Sequence, residues 1–205
     1  MIQGSQEWFA ARLGKVTASR IRDVVAKIKT GEAAARRDYR IQLVTERLTG
    51  RKEEGFTSAD MQWGTDTEPL ARSSYEAETG NLVAEVGMID HPTIGMTGAS
   101  PDGLVGAEGM LEIKCPKTAT HLQTLMEGSV PTQYIPQMQW QMAATGRQWV
   151  DFVSYDPRLP EQYQLFTVRV QRDEALIAEY EKEVVAFLKE VDATIEGLLN
   201  WKKAA

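Results

Sequence analysis

Asp102, Glu112 and Lys114 are the residues of this chain whose types and spacing are suited to chemistry. Asp102 lies in Gly98-Ala99-Ser100-Pro101-Asp102-Gly103, where proline and glycine bracket it at a bend rather than in a smooth strand. Leu111-Glu112-Ile113-Lys114-Cys115 alternates apolar and charged residues. Glu112 and Lys114 therefore share one strand face, and Leu111, Ile113 and Cys115 the other. Gly106-Ala107-Glu108-Gly109 between the two pieces has the composition of a hairpin loop. Folding about it sets Asp102 beside residues 112–113. Two carboxylates with a lysine alongside suit a hard divalent cation. Such a cluster can hydrolyse a phosphodiester: the metal polarises the phosphoryl oxygen and acidifies a water, while the lysine orients or deprotonates that water and offsets developing charge.

The elements that must position these groups read as mixed α/β, without internal repeats or a linker. Thr17 or Ser19 caps a helix running to about Lys27, and Lys29-Thr30-Gly31-Glu32 is a loop. Ala33 to Thr49 reads as a helix stopped by Gly50, with Ile41, Val44 and Leu48 on its apolar face. Ser58 caps a further helix ending before Gly80, interrupted by Gly64 and kinked at Pro69. Strands are expected at about 82–90, 96–105, 109–115, 149–155 and 163–170, with helices at about 118–127 and 131–145 between the third and fourth. A closing helix over 173–201 carries Leu176, Tyr180, Val184, Phe187, Leu188 and Val191 on one stripe, for the core or an oligomer contact.

The motifs continue beyond the central cluster. Arg12-Leu13-Gly14-x-x-Thr17-Ala18-Ser19, then Trp63-Gly64-x-x-x-Glu68, then Ser100-Pro101-Asp102-Gly103 occur in order. Glu112-Ile113-Lys114-Cys115-Pro116, Tyr134-x-x-Gln137-x-Gln139 and Tyr155-Asp156-Pro157-Arg158 follow. Across roughly residues 5–190 this series resembles the lambda exonuclease (YqaJ-type viral recombinase) family of the PD-(D/E)xK nuclease superfamily. The resemblance implies a restriction-endonuclease-like core, a central mixed β-sheet flanked by helices, in a single nuclease domain over 1–205. It implies a Mg²⁺-dependent 5′→3′ exonuclease, with Mn²⁺ able to substitute, that degrades one strand of linear double-stranded DNA to leave 3′ overhangs for annealing. A structure-specific or restriction-like endonuclease of the same fold is the alternative. Asp102 and Glu112 are then metal ligands together with the Ile113 carbonyl, Lys114 activates water, and Gln137 positions a water or a ligating carboxylate. Glu68 is either an auxiliary metal ligand or a helix-surface glutamate. Arg12, Ser19 and Ser100 match positions that hold a terminal 5′-phosphate; a surface ion pair for Arg12 and a helix cap for Ser19 are the plainer alternatives. Where the family often has a second arginine after the E-x-K strand, this chain has Thr120, with Lys117 or His121 nearby to compensate. The family also implies a ring-shaped homotrimer and a phage-type single-strand annealing protein as partner.

Composition agrees with one enzyme domain: 205 residues, 42% hydrophobic and 25% charged, are enough to bury a sizeable core. No apolar run is long enough to span a membrane and no secretory signal opens the chain, so a cytoplasmic protein is expected. Cys115 is the only cysteine, which excludes an intrachain disulfide and a four-cysteine iron–sulfur cluster. Net charge is −6, but residues 1–52 hold twelve Lys/Arg against five Asp/Glu, a balance of +7, and the remainder balances at −13. The basic quarter is expected to offer phosphates a local basic face, with the acidic remainder repelling DNA elsewhere. His91 and His121 have no zinc-site spacing, and Trp8, Trp63, Trp140 and Trp149 are expected in the core.

Overall fold

The computed structural model describes residues 3–52 and 58–201. In chain order the elements are α1 (Gln6–Arg12), β1 (Val16–Thr17), a 3₁₀ turn (Ala18–Arg20), α2 (Ile21–Val24), α3 (Ala34–Thr49) and α4 (Ala59–Thr79). Four short strands follow: β2 (Val83–Ala84), β3 (Ile89–Asp90), β4 (Thr97–Ala99) and β5 (Gly103–Val105). The chain continues through β6 (Gly109–Lys114), α5 (Thr118–Glu127), α6 (Ile135–Thr145), β7 (Trp149–Tyr155), β8 (Leu165–Gln171) and α7 (Glu174–Asn200).

The main sheet runs β2-β5-β6-β7-β8, with β6 and β7 parallel and the other pairs antiparallel. A parallel pair needs a crossover, and α5 and α6 supply it. One face packs on α2, α3, α6 and α7 through Met110, Phe152, Trp140, Leu43, Phe187 and their neighbours. The other face carries Leu111, Ile113 and Val153 against Ala71 and Tyr75 of α4. Helices therefore cover both faces of a mixed sheet, as expected. The period-2 split of β6 is the reason: Met110, Leu111 and Ile113 are all buried, on opposite faces.

Several boundaries differ from the sequence reading. The expected strands 82–90 and 96–105 are each two short strands that part into different sheets; β3 and β4 join β1 in a separate three-stranded sheet. Pro101 cannot donate to a ladder, so the chain changes sheet at Ser100-Pro101-Asp102. Ser5, outside the predicted elements, accepts from Trp8 N at 3.2 Å and caps α1. The helix expected to reach Lys27 ends at Val24, and Ser19 lies inside the 3₁₀ turn rather than capping it. On α3, Ile41 and Leu48 face solvent, while Tyr39, Leu43 and Val44 are buried. The registry rotates because Tyr39 stacks on Phe187 at 5.6 Å and turns that face toward α7. Ser58 caps α4, whose hydrogen-bonded run continues through Gly64 and Pro69 to the left-handed Gly80. Asp173 caps α7; of the predicted stripe Tyr180, Val184, Phe187, Leu188 and Val191 are buried with Ile177 added, while Leu176 is only half-buried. No helix among the described residues is long and apolar enough to cross a membrane.

Candidate active site

Hairpin geometry assembles the site. β5 and β6 pair with Gly103 opposite Leu111, and the preceding Asp102 N donates to Leu111 O at 3.2 Å. The bend at Pro101 turns the Asp102 carboxylate inward, where its Oδ2 accepts from Ile113 N at 2.7 Å. Gln3 holds the outside of the bend, donating to Pro101 O at 2.8 Å. Glu112, 1% exposed, points to the α6 side and is bound on both oxygens: Gln137 Nε2 donates to Oε1 and Gln141 Nε2 to Oε2, each at 2.6 Å. Lys114 pairs with the same carboxylate and lies 5.2 Å from the Tyr134 ring centroid. Glu68 reaches the cleft from α4 but is held by Arg72 at 2.7 Å.

Asp102, Glu112, Ile113, Lys114, Glu68 and Gln137 line one cleft of about 560 Å³. Burial first, then the neighbouring Glu112 charge, pushes the Asp102 carboxyl well above its usual range. Glu68 is raised mainly by burial, with Arg72 opposing. For Lys114, burial alone would lower the ammonium, but the Glu112 and Asp102 carboxylates outweigh it and hold the side chain protonated. One ammonium thus faces two carboxyl groups, Glu112 buried and Asp102 partly so. Among the described residues no three His, Cys, Asp or Glu side chains form a ready metal cage. The donor set of two carboxylates beside a backbone turn nevertheless fits a hard cation that completes its shell with water and substrate oxygens.

A second cleft of about 340 Å³ lies beside the first, and Met61 lines both. It is lined by Arg12, Ser19, Lys15, Arg20 and Lys52 among others. Arg12 donates to Ser100 Oγ at 3.1 Å, Trp8 Nε1 donates to the same oxygen at 3.0 Å, and the guanidinium stacks on the Trp8 ring at 4.1 Å. Burial lowers the Arg12 pKa, with Tyr39 and Glu46 opposing, and no ion pair to it is found among the described residues. Arg12, Ser19 and Ser100 are thus brought together.

Other expected groups are not. Lys117 stands exposed at the start of α5, paired with Asp60 at 3.0 Å, away from the Arg12 cleft. His121 is fully buried, with Nδ1 2.7 Å from Ser154 Oγ and Nε2 2.8 Å from Tyr163 O, so it cannot compensate for Thr120. Only Trp140 of the four expected core tryptophans is fully buried. Trp8, Trp63 and Trp149 sit at rims beneath Arg12, Arg158 and Arg169, because a flat indole face takes a guanidinium at the surface. Gln141, on the second oxygen of Glu112, is a residue of this cluster that the motifs missed. Its signal was present: Gln137 and Gln141 are four residues apart and share a helix face. Gln139, between them, turns away to Gln171 O and Asp173 N.

A mixed sheet with an aspartate at a proline bend and an E-x-K strand sharing one buried cleft defines an enzyme of the nuclease class. The YqaJ-like viral recombinase domain matches residues 7–148, and the chain belongs to that family. No curated protein matches it. A crystal structure of the alkaline exonuclease LHK-Exo from Laribacter hongkongensis is 57% identical, with a TM-score of 0.91 over 98% of this chain and 100% of that one. LHK-Exo in complex with dAMP matches with the same identity and TM-score, over 98% of each chain. A phage-related exonuclease from Haemophilus somnus, 17% identical, shares the fold with a TM-score of 0.71 over 90% of this chain and 96% of that one.

Proposed function

We propose that this protein is a Mg²⁺-dependent exonuclease that degrades one strand of linear double-stranded DNA from its 5′ end, leaving a 3′ overhang for strand annealing. One observation carries the reading. Arg12, a phosphate-binding type of side chain, is hydrogen-bonded to Ser100, two residues before Asp102. A terminal phosphate seated on Arg12, Ser19 and Ser100 would lie one short turn from the cleft of Asp102, Glu112 and Lys114. The dAMP held by LHK-Exo is a mononucleotide, the size of product that end-wise cutting releases.

Asp102 and Glu112, with the Ile113 carbonyl, would hold Mg²⁺ or Mn²⁺, and Glu68 would join them only on leaving Arg72. The bound cation would supply Lewis-acid polarisation of the phosphoryl oxygen and a more acidic water. Gln137 and Gln141 fix the Glu112 carboxylate, so its oxygens need no reorganisation. Lys114 enters as a cation that orients the attacking water and offsets charge on the phosphoryl group. Membership of the family supports a homotrimeric ring around DNA and a single-strand annealing partner, and the lone, half-buried Cys115 is compatible with a reducing cytoplasm.

Digestion of 5′-phosphorylated and 5′-hydroxyl linear duplex, run beside closed circular duplex, tests the reading. The phosphorylated linear duplex should be degraded fastest and the circle left intact. Arg12→Gln should erase most of the phosphate preference, a loss on the order of 10-fold or more for a charge-assisted phosphate contact. Equal rates on both linear ends would remove the role given to Arg12, Ser19 and Ser100; cutting of the circle would favour the endonuclease alternative.

A further inference from the structure

Beyond the two clefts, a third opens on the far side of the catalytic one. It has a volume of about 490 Å³ and shares Asp60, Cys115 and Pro116 with the catalytic cleft. Its remaining lining includes Trp63, Lys117, Thr120 and Arg158. Arg158 is held there with unusual care. Its Nε and one terminal nitrogen donate to the two oxygens of Asp156 at 2.7 and 2.9 Å. Asp156 is itself fully buried and takes a third bond from Thr118 Oγ1 at 2.6 Å. The guanidinium lies over the Trp63 ring at 4.3 Å, and the Arg158 side chain remains 47% exposed. The nitrogen that meets Asp156 Oδ2 also donates to Pro116 O at 3.4 Å, and the other terminal nitrogen makes no hydrogen bond among the described residues. The Trp63 indole nitrogen is buried and has no hydrogen-bond partner among the described residues. A buried carboxylate, itself held by a threonine, and a stacking ring thus fix a guanidinium with one terminal nitrogen left over, lining a cleft that continues from the catalytic residues.

We infer that this cleft is a nucleotide subsite, taking the DNA backbone phosphate next to the scissile one on Arg158 and Lys117, with the Trp63 ring beside the sugar and base. Arginine presents its outer edge to phosphate while its inner edge stays forked on Asp156, and pre-organisation lowers the entropy lost on binding. Lys117, paired with Asp60 on the cleft wall at 3.0 Å, adds an exposed positive charge at the start of α5, where no side chain caps the helix, and a phosphate would compete with Asp60 for it. The backbone connects the two sites directly: Cys115, Pro116 and Lys117 follow Lys114 with no intervening residue. A strand threaded from Arg12 past Lys114 therefore meets Arg158 next. The inference rests on the nuclease reading above.

Thr120 allows a test that spares the fold, since it is exposed on the cleft wall. Binding of a labelled 5′-phosphorylated duplex would be measured with Ca²⁺ in place of Mg²⁺, and degradation with Mg²⁺, for the wild-type chain, Thr120→Glu, Thr120→Arg and Arg158→Lys. A carboxylate at 120 should raise Kd and KM on the order of 10-fold and flatten the slope of log Kd against log salt by about 1, while kcat at saturating DNA stays near wild type. Arginine at 120 should tighten binding, and Arg158→Lys should weaken it, since lysine cannot fork on Asp156 and reach outward together. Thermal midpoints equal to wild type for both Thr120 variants would assign the changes to binding. An active wild type whose variants share its Kd, KM and salt slope would overturn the subsite alone. A wild-type chain without activity on linear duplex would overturn the nuclease reading, and the subsite with it.

Discussion

Glu112 is the most constrained residue of the site, with two glutamine amides and an ammonium on one carboxylate. Removing either amide leaves the carboxylate free to turn, and outer supports of this kind typically contribute 10–100-fold in metal affinity or activity. Gln141→Ala should therefore cost as much as Gln137→Ala, on the order of 10–100-fold in kcat, read from degradation of linear duplex. A loss confined to Gln137 would mean that Gln141 only packs. Asp102→Asn and Lys114→Met remove charge at the reacting centre itself, and each should cost on the order of 10²–10³ in rate. The cluster of Asp102, Glu112 and Lys114 was legible because strand alternation and a proline bend are local rules. The second amide was harder to see. Gln133, Gln137, Gln139 and Gln141 look alike in the chain, and only packing shows that Gln139 serves Gln171 and Asp173 instead.

At the level of elements, the site depends on joints between strands. Gly98 lies in β4 just ahead of the Ser100 bend, and a Cβ there would stand 2.3 Å from the Ile89 carbonyl oxygen. Backbone cannot yield as a flexible side chain can, so Gly98→Ala should destabilise the fold by about 1–3 kcal/mol, measured by urea unfolding. The Tyr155-Asp156-Pro157-Arg158 block joins the end of β7 to α5 through Thr118. Burial alone would raise the Asp156 carboxyl, but the bonds from Arg158 and Thr118 overcome this and hold it at about 2. A carboxyl depressed in the folded chain stabilises it above the unfolded value of about 3.9, and that stability is lost as pH falls through about 2. Asp156→Asn should thus cost about 1–3 kcal/mol at pH 7, and the gap from wild type should narrow at pH 3, followed by urea unfolding at both pH values. An unchanged gap would show that the carboxylate charge is not what the joint uses. Long elements such as α4, β7 and α7 were readable from caps and periodicity. The short strands were not, because two- and three-residue strands carry too few residues for a period to register.

Across the whole molecule, the basic first quarter behaves differently from its charge count. Lys27 pairs with Glu183, Arg36 with Glu190 and Arg47 with Asp192, all on α7, while Arg40 pairs with Glu32 and Lys15 with Asp90. Much of the +7 is spent stapling α3 and the α2 region to α7. Among the described residues, Arg12, Arg22, Lys29, Arg51 and Lys52 have no carboxylate partner in an ion pair. Arg36→Gln should accordingly lower the thermal midpoint, since Arg36 also lies over Phe187 and donates to Val24 O, yet leave the Kd for duplex DNA unchanged. Arg12→Gln should do the reverse. Weaker DNA binding by Arg36→Gln with an unmoved midpoint would return this arginine to the DNA face.

The amino-acid sequence by itself determined the grouping of Asp102, Glu112 and Lys114, the long helices and strands, and the family, because each is written in neighbouring residues or in blocks of fixed order. Only the tertiary structure decided which cations remain available to a phosphate, that Gln141 joins Gln137 on Glu112, and that Arg158 rather than His121 stands in the cleft beside Thr120. Those outcomes depend on pairings between residues far apart in the chain. An ion pair or a buried hydrogen bond is chosen by whichever partner packing brings within reach, and no local pattern encodes that distance.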